Sequence, residues 1–203
     1  FNKRKLLFGL DRSHRAIQQE GRAIVVEGYM DAISVFDAGV HNVVASLGTS
    51  FTPEHAKKLL HYAPEICFCY DSDEAGQKAT IRALTIVRTE NSRVYSTAAY
   101  ERLLQQAQMV EGLQKQWRAS GKPHPRINHL AADGQVQDVT KPFKLGGAEL
   151  MYPHDPAAPA SETILCGCTM VPWHADWAGA MKNPARKYAQ DEAGQPVRQL
   201  LAR

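Results

Sequence analysis

At 203 residues with a formal net charge of +3, the chain has room for one large domain or two small ones, and its charge alone does not imply nucleic-acid binding. No apolar run approaches the roughly 18 residues of a membrane span, and the polar, Lys/Arg-rich opening around Lys3, Arg4 and Lys5 has no apolar core of a signal peptide behind it. A cytoplasmic protein without a membrane partner is expected.

In chain order, Asp11 is placed as the N-cap of a short helix that ends before Gly21. Ala23 to Val26 reads as a first strand, closed by Glu27. Tyr29 to Ala38 carries Met30, Ile33, Val35 and Phe36 at helical spacing and is stopped by Gly39, with Asp31 one turn in. Asn42 to Leu47 is a second strand. Thr52-Pro53-Glu54 starts a helix with a cap, a proline and an acid in the right order, and Thr49 and Ser50 ahead of it read as caps for the same helix. Ile66 to Tyr70 is a third strand, in which Cys67 and Cys69 share one face and are expected to be buried small hydrophobes. Glu74 to Val87 is a third helix. This alternation with short loops predicts an α/β fold with a parallel, Rossmann-like sheet. Beyond Arg88 the pattern predicts one long helix from Val94 to Trp117, then a small irregular α+β segment rich in Gly, Pro, Asp and His, and a polar tail over 179–203.

The acids follow the apolar runs directly. Glu27, Asp71 and Asp73 are therefore expected at the carboxyl ends of neighbouring strands, the edge at which open α/β sheets bind ligands. Carboxylates gathered there would repel one another, and a divalent cation removes the conflict. All-oxygen ligands favour Mg²⁺ or Mn²⁺ over Zn²⁺. Lys78 and Arg82, four apart on the following helix, suit either phosphate or template contact or a solvated face.

The motifs Val26-Glu-Gly-Tyr-Met-Asp31, Val44-Ala-Ser-Leu-Gly-Thr49 and Tyr70-Asp-Ser-Asp-Glu-Ala-Gly76 resemble the TOPRIM domain of bacterial DNA primase, over about residues 1–88. The resemblance implies that Glu27 acts as acid/base or metal ligand, that Asp71 and Asp73 form the metal-binding pair, and that Asp31 is a supporting catalytic acid. It implies a DNA-directed RNA polymerase that makes primers from nucleoside triphosphates on a single-stranded DNA template, with Mg²⁺ as cofactor and a replicative helicase as partner. The family's further Asp-rich motif has no counterpart after Arg88, and its zinc-binding, basic and helicase-binding parts are not in this sequence. Weak metal binding and little or no primer synthesis by this chain are expected.

The second part carries a different signature: Trp117-Arg-Ala-Ser-Gly, Arg126-Ile-Asn-His129, Asp133-Gly134, Pro153-His-Asp-Pro156 and Cys166-Gly-Cys168. It resembles the Mu-type phage head-morphogenesis proteins, over about residues 86–178, with Leu165 and Gly167 where that family usually has Asn and Arg. The resemblance implies portal or capsid proteins as partners and makes the chain a chimera of primase and minor head protein. Cys166 and Cys168 read either as half of a Zn²⁺ site completed by His129, His154 or His174, or as an oxidised pair or two packed thiols.

Overall fold

The structure, a computed structural model, describes residues 3–122 and 125–177 together with the backbone of two short paired strands, Ala189–Gln190 and Pro196–Val197. The rest of the expected tail lies outside the described residues. Residues 1–91 and 92–203 form two compact units.

The first unit is built on a sheet of β1 (Leu7–Phe8), β2 (Arg22–Val26), β3 (Val43–Ser46) and β4 (Glu65–Cys69), in the spatial order β1-β3-β2-β4. β2 is parallel to both of its neighbours, with Val26 opposite Ala45 on one side and Cys69 on the other. The marginal β1 is antiparallel to β3. Alternate residues of the strands face two different cores. Ala23, Val25, Val44, Ile66 and Phe68 pack with Ile17 of α1 (Leu10–Glu20), Leu59 of α3 (Pro53–Leu60) and Ala83 of α4 (Glu74–Ala107). Ile24, Val26, Val43 and Ala45 pack with Ala32, Val35 and Phe36 of α2 (Tyr29–Asp37) on the opposite face. Such runs are apolar on both faces because both faces are covered. Burying a side chain such as Val25 fully is worth about 1.5–3 kcal/mol.

Local chemistry sets the helix ends. Thr52 accepts a hydrogen bond from the His55 backbone N–H at 3.2 Å, and Pro53 follows it. Thr49 and Ser50 cap nothing, since Thr52 has taken that place. Asp11 lies within the first turn of α1, not before it: the cap residue is Gly9, in a left-handed conformation (φ 79°) with no side chain to bond. α4 is longer than its sequence pattern suggests, and the expected second helix over 94–117 does not exist as such. Residues 77–107 contain neither Gly nor Pro, and the hydroxyls of Thr80, Thr85 and Thr89 bond to the carbonyls four residues back. The helix therefore runs on to Ala107 until Gly112, at φ 75°, turns the chain.

Cys67 and Cys69 are exposed, not buried. β4 is the sheet edge, and α2 packs over β2 and β3. The face of β4 that carries Ile66 and Phe68 is covered by the main core; the cysteine face meets solvent.

In the second unit, β5 (Gln114–Arg118) is the middle of an antiparallel sheet, between β6 (Val136–Asp138) and β9 (Thr169–Trp173). Trp117 thus sits on a strand opposite Met170 and is wholly buried. A hairpin of β7 (Phe143–Leu145) and β8 (Ala148–Leu150) turns at Gly146-Gly147, with Gly146 at φ 62°. Phe143, Leu145 and Leu150 close over Trp117, whose ring meets Phe143 edge-on at 5.3 Å. Two short helices, α5 (Ile127–Ala131) and α6 (Ala160–Thr163), complete the unit.

Candidate functional site

The register of the first sheet decides where the acids fall. Val26 and Cys69 are paired neighbours, so Glu27, one residue on, and Asp71, two residues on, leave the sheet at the same carboxyl rim. Both are exposed, as are Asp31 and Asp73. Two of these acids are used locally. Asp31 accepts a hydrogen bond from the Gly28 backbone N–H at 3.0 Å at the start of α2, and Asp73 accepts one from the Gly76 N–H at 2.7 Å at the start of α4. Negative charge at these helix N-termini is favourable. Gly76 is required there because a Cβ would collide with the Asp71 carbonyl. Glu27, Asp71 and Asp73 do not form a group with all ligand atoms within 4.8 Å of one another. Among the described residues, the group of three ligating side chains with all ligand atoms within 4.8 Å of one another lies elsewhere. Asp31 and Asp73 are held at helix starts, and all four acids are exposed.

Beside the rim lies a cavity of about 500 Å³ lined by Glu27, Ser46, Thr49, Tyr70, Lys78 and Arg82, among others. Asp71 and Asp73 are not in its lining. Lys78 is ion-paired with Glu74 one turn back on α4. Burial, with the Glu27 carboxylate nearby, pushes the Tyr70 hydroxyl up to about 12 against the pull of a hydrogen bond with Ser46. The Thr49 hydroxyl is buried without a partner. Among the polar wall residues, sequence reasoning did not select Tyr70 and Ser46 and read Thr49 only as a helix cap. The signal for Thr49 was its place after Gly48, whose φ of 63° turns the chain at the end of β3.

The oxygen donors fit a hard cation in one specific way. Mg²⁺ keeps several waters and commonly takes only one or two carboxylates from protein. Separated, solvent-facing acids at one rim suit that mode better than a closed cage.

The group that does converge is in the second unit: His129 on α5, Cys166 just after α6 and Cys168 at the entry to β9, all buried. His129 Nδ1 lies 3.5 Å from Cys166 Sγ and 3.4 Å from Cys168 Sγ. Its Nε2 lies 2.8 Å from Glu162 Oε2, a partner 33 residues away that no spacing rule identifies. Burial pushes Glu162 up, but hydrogen bonds from Asn128 and His129 outweigh it and leave the carboxyl below its usual range. The sulfurs behave as an unequal pair. Hydrogen bonding with Cys168 draws the Cys166 thiol down, and the same bond, with burial, pushes Cys168 up. His154 and His174 are not members of the group; His174 instead meets the Glu111 carbonyl at 3.0 Å.

Residues 24–103 match the Toprim-like family model. Within that class, the chain is similar to bacterial DNA primases. It is 45% identical over 92 residues to the DNA primase of Enterococcus faecalis, which covers 45% of this chain and 14% of that protein. It is 49% identical over 84 residues to that of Neisseria meningitidis, covering 41% and 14%. Among solved structures, the zinc-binding and RNA polymerase domains of the Aquifex aeolicus primase align over 44% of this chain and 22% of that one, at 40% identity and a TM-score of 0.43. The chain spans 14% of the length of these curated relatives. Its first unit is similar to the Toprim domain of bacterial DNA primase. Among the described residues no helix is long and apolar enough to cross a membrane.

Proposed function

We propose that the first unit is a metal-dependent nucleotide site of the primase type, using Mg²⁺ or Mn²⁺. The reading is supported above all by the placement of Glu27 and Asp71 at one rim of parallel strands, beside a cavity that also carries Lys78 and Arg82. In a primer-forming reaction, a 3′-hydroxyl attacks an α-phosphate. The cation supplies charge neutralisation on that phosphate and activation of the hydroxyl. Asp71, with Asp73 or Glu27, would hold it. Glu27 borders the cavity, which supports a role for it as acceptor of the hydroxyl proton. Asp31 steadies the turn behind Glu27 by bonding the Gly28 N–H. Lys78 and Arg82 face the same space with charge opposite to a triphosphate. Single-stranded DNA and nucleoside triphosphates are the partners this reading names, and in a longer protein a replicative helicase. By itself this chain makes little or no primer, because residues 89–203 hold no second Asp-rich motif to complete the centre.

The test is thermal unfolding against Mg²⁺ and Mn²⁺. At about ten times Kd, the cation raises stability by about 1.4 kcal/mol by mass action, and Asp71→Ala removes the rise. A wild-type curve unmoved by either cation at millimolar concentration would overturn the site. Robust primer synthesis, abolished by Asp71→Ala, would keep the site and overturn the claim of inactivity. A second reading concerns residues 92–177. Trp117, Cys166 and Cys168, three positions of the signature that resembles phage head proteins, share one buried cluster, which supports an assembly role with portal or capsid proteins. Co-sedimentation with those proteins tests it.

A further inference from the structure

We propose that His129, Cys166 and Cys168 form a binding site for a soft divalent cation, zinc in the first place, within the second unit and independent of the carboxylate rim. Glu162 Oε2 takes up the Nε2 side of the His129 ring at 2.8 Å, so the Nδ1 side is the one that faces both sulfurs. Three electron-rich atoms therefore converge in a buried space. Their spacing matches a metal. Two ligands at 2.0–2.1 and 2.3 Å from a tetrahedral zinc are about 3.5–3.6 Å apart; the nitrogen–sulfur separations here are 3.5 and 3.4 Å. The carboxylate on the far nitrogen is the arrangement that fixes the tautomer and raises the basicity of a ligating histidine.

The surroundings bring hydrogen-bond donors and positive charge to the sulfur-bearing loop. The Cys168 backbone N–H points to Cys166 Sγ at 3.4 Å. The buried Trp117 packs in the same cluster as both cysteines. Lys122 donates to the Leu165 carbonyl at 2.8 Å and Arg126 to that of Ile164 at 2.7 Å, bringing two cations to the loop that presents Cys166. Gly167 has no room for a side chain: a Cβ there would lie 2.6 Å from Lys122 Cε and 2.9 Å from Ser120 Cβ. The fourth position of the tetrahedron is left to water, since His154 is not a member of the group. On binding, both sulfurs become thiolates, and the thiol protons they carry pass to solvent.

The 203-residue chain, purified without chelator, is dialysed and its metal counted; cobalt(II) is then exchanged in. The expected result is about one zinc per chain and, with cobalt, tetrahedral d–d bands with sulfur-to-metal charge transfer. Cys166→Ser or Cys168→Ser lowers the charge-transfer intensity by about half, whereas the double variant Cys67→Ser/Cys69→Ser leaves it unchanged. Glu162→Gln, which keeps all three ligands, weakens zinc binding about 10–100-fold. Should a cysteine variant fail to fold, the Glu162→Gln and Cys67/Cys69 arms still decide. The proposal falls if dialysed protein retains under about 0.1 zinc per chain and a thiol reagent modifies Cys166 and Cys168 equally fast with and without excess zinc. It also falls if the cobalt charge transfer disappears in the Cys67→Ser/Cys69→Ser variant.

Discussion

The two units solve the same electrostatic problem in opposite ways. The rim of the first sheet displays hard oxygen donors in the open, with Glu27 and Asp71 exposed and Asp31 and Asp73 bonded to helix N-termini. The second unit buries soft donors around His129 and encloses them with Trp117 and Phe143. Exposed carboxylates at a rim stay in contact with solvent and are paired, where they are paired, with nearby backbone N–H groups. A buried sulfur–nitrogen cluster is coupled to folding itself. The contrast implies that changes at the rim alter ligand binding while leaving stability nearly untouched, and that changes around His129 do the reverse.

The largest effect that can test this contrast is at Trp117. It is wholly buried, between the hairpin and His129. Trp117→Ala is expected to cost about 3–5 kcal/mol, read by denaturant unfolding and by loss of hydrogen-exchange protection in β5 and β9. Asp71→Ala, at the exposed rim, is expected to stay within about 0.5 kcal/mol in the absence of metal. Equal losses from the two would erase the distinction between the units.

The next effect is electrostatic. Lys115 is buried, donates to the Met151 carbonyl at 2.6 Å and stands over the rings of Tyr100 and Phe143 at 4.9 and 5.0 Å. Burial pulls its pKa down to about 8, against the attraction of Asp138 and Asp155. The folded-state value is below the unfolded one, so between about pH 8 and 10 the unfolded chain binds more protons. Stability from this residue must therefore rise with pH across that window, by on the order of 2 kcal/mol. Tyr70, held up at about 12, acts in the opposite direction only above about pH 10. Urea unfolding at a series of pH values checks the slope, and Lys115→Met should flatten it.

What could be read in advance divides along the same line. The strands at 22–26, 43–46 and 65–69 were legible because each is a short apolar run bounded by turn residues, and the rim position of Glu27 and Asp71 follows from strand ends alone. How near the carboxylates come to one another was not legible, since Asp31 and Asp73 had competing local partners in Gly28 and Gly76. The exposure of Cys67 and Cys69 depends on β4 being the sheet edge, a fact of strand order that a single strand's sequence does not carry. In the second unit, Trp117 looked helical because Gln and Ala before it suit a helix, while its burial comes from β9, over 50 residues later. His129, Cys166 and Cys168 were picked out by residue type. Glu162 was missed because its role exists only once α5 and α6 are folded together.

The smallest effect separates the two units by a backbone criterion. Both sites use a left-handed residue to turn the chain: Gly48 at φ 63° after β3, and Leu165 at φ 52° immediately before Cys166. Glycine takes this conformation without steric cost, whereas a residue with a Cβ is roughly 1–2 kcal/mol worse off. The rim turn is thus relaxed and the turn before Cys166 is strained. Leu165 is 42% exposed, so removing its side chain forfeits little burial. Leu165→Gly or Leu165→Asn is therefore expected to stabilise the folded chain by up to about 1 kcal/mol, less for Gly because it also frees the unfolded chain. Gly48→Ala should destabilise it by a similar amount, since Ala meets the same barrier that Leu165 already bears. Thermal melts of the three variants under identical metal conditions check the pair of signs. If Leu165→Asn destabilises instead, the leucine side chain contributes more to holding Cys166 in place than its backbone strain removes.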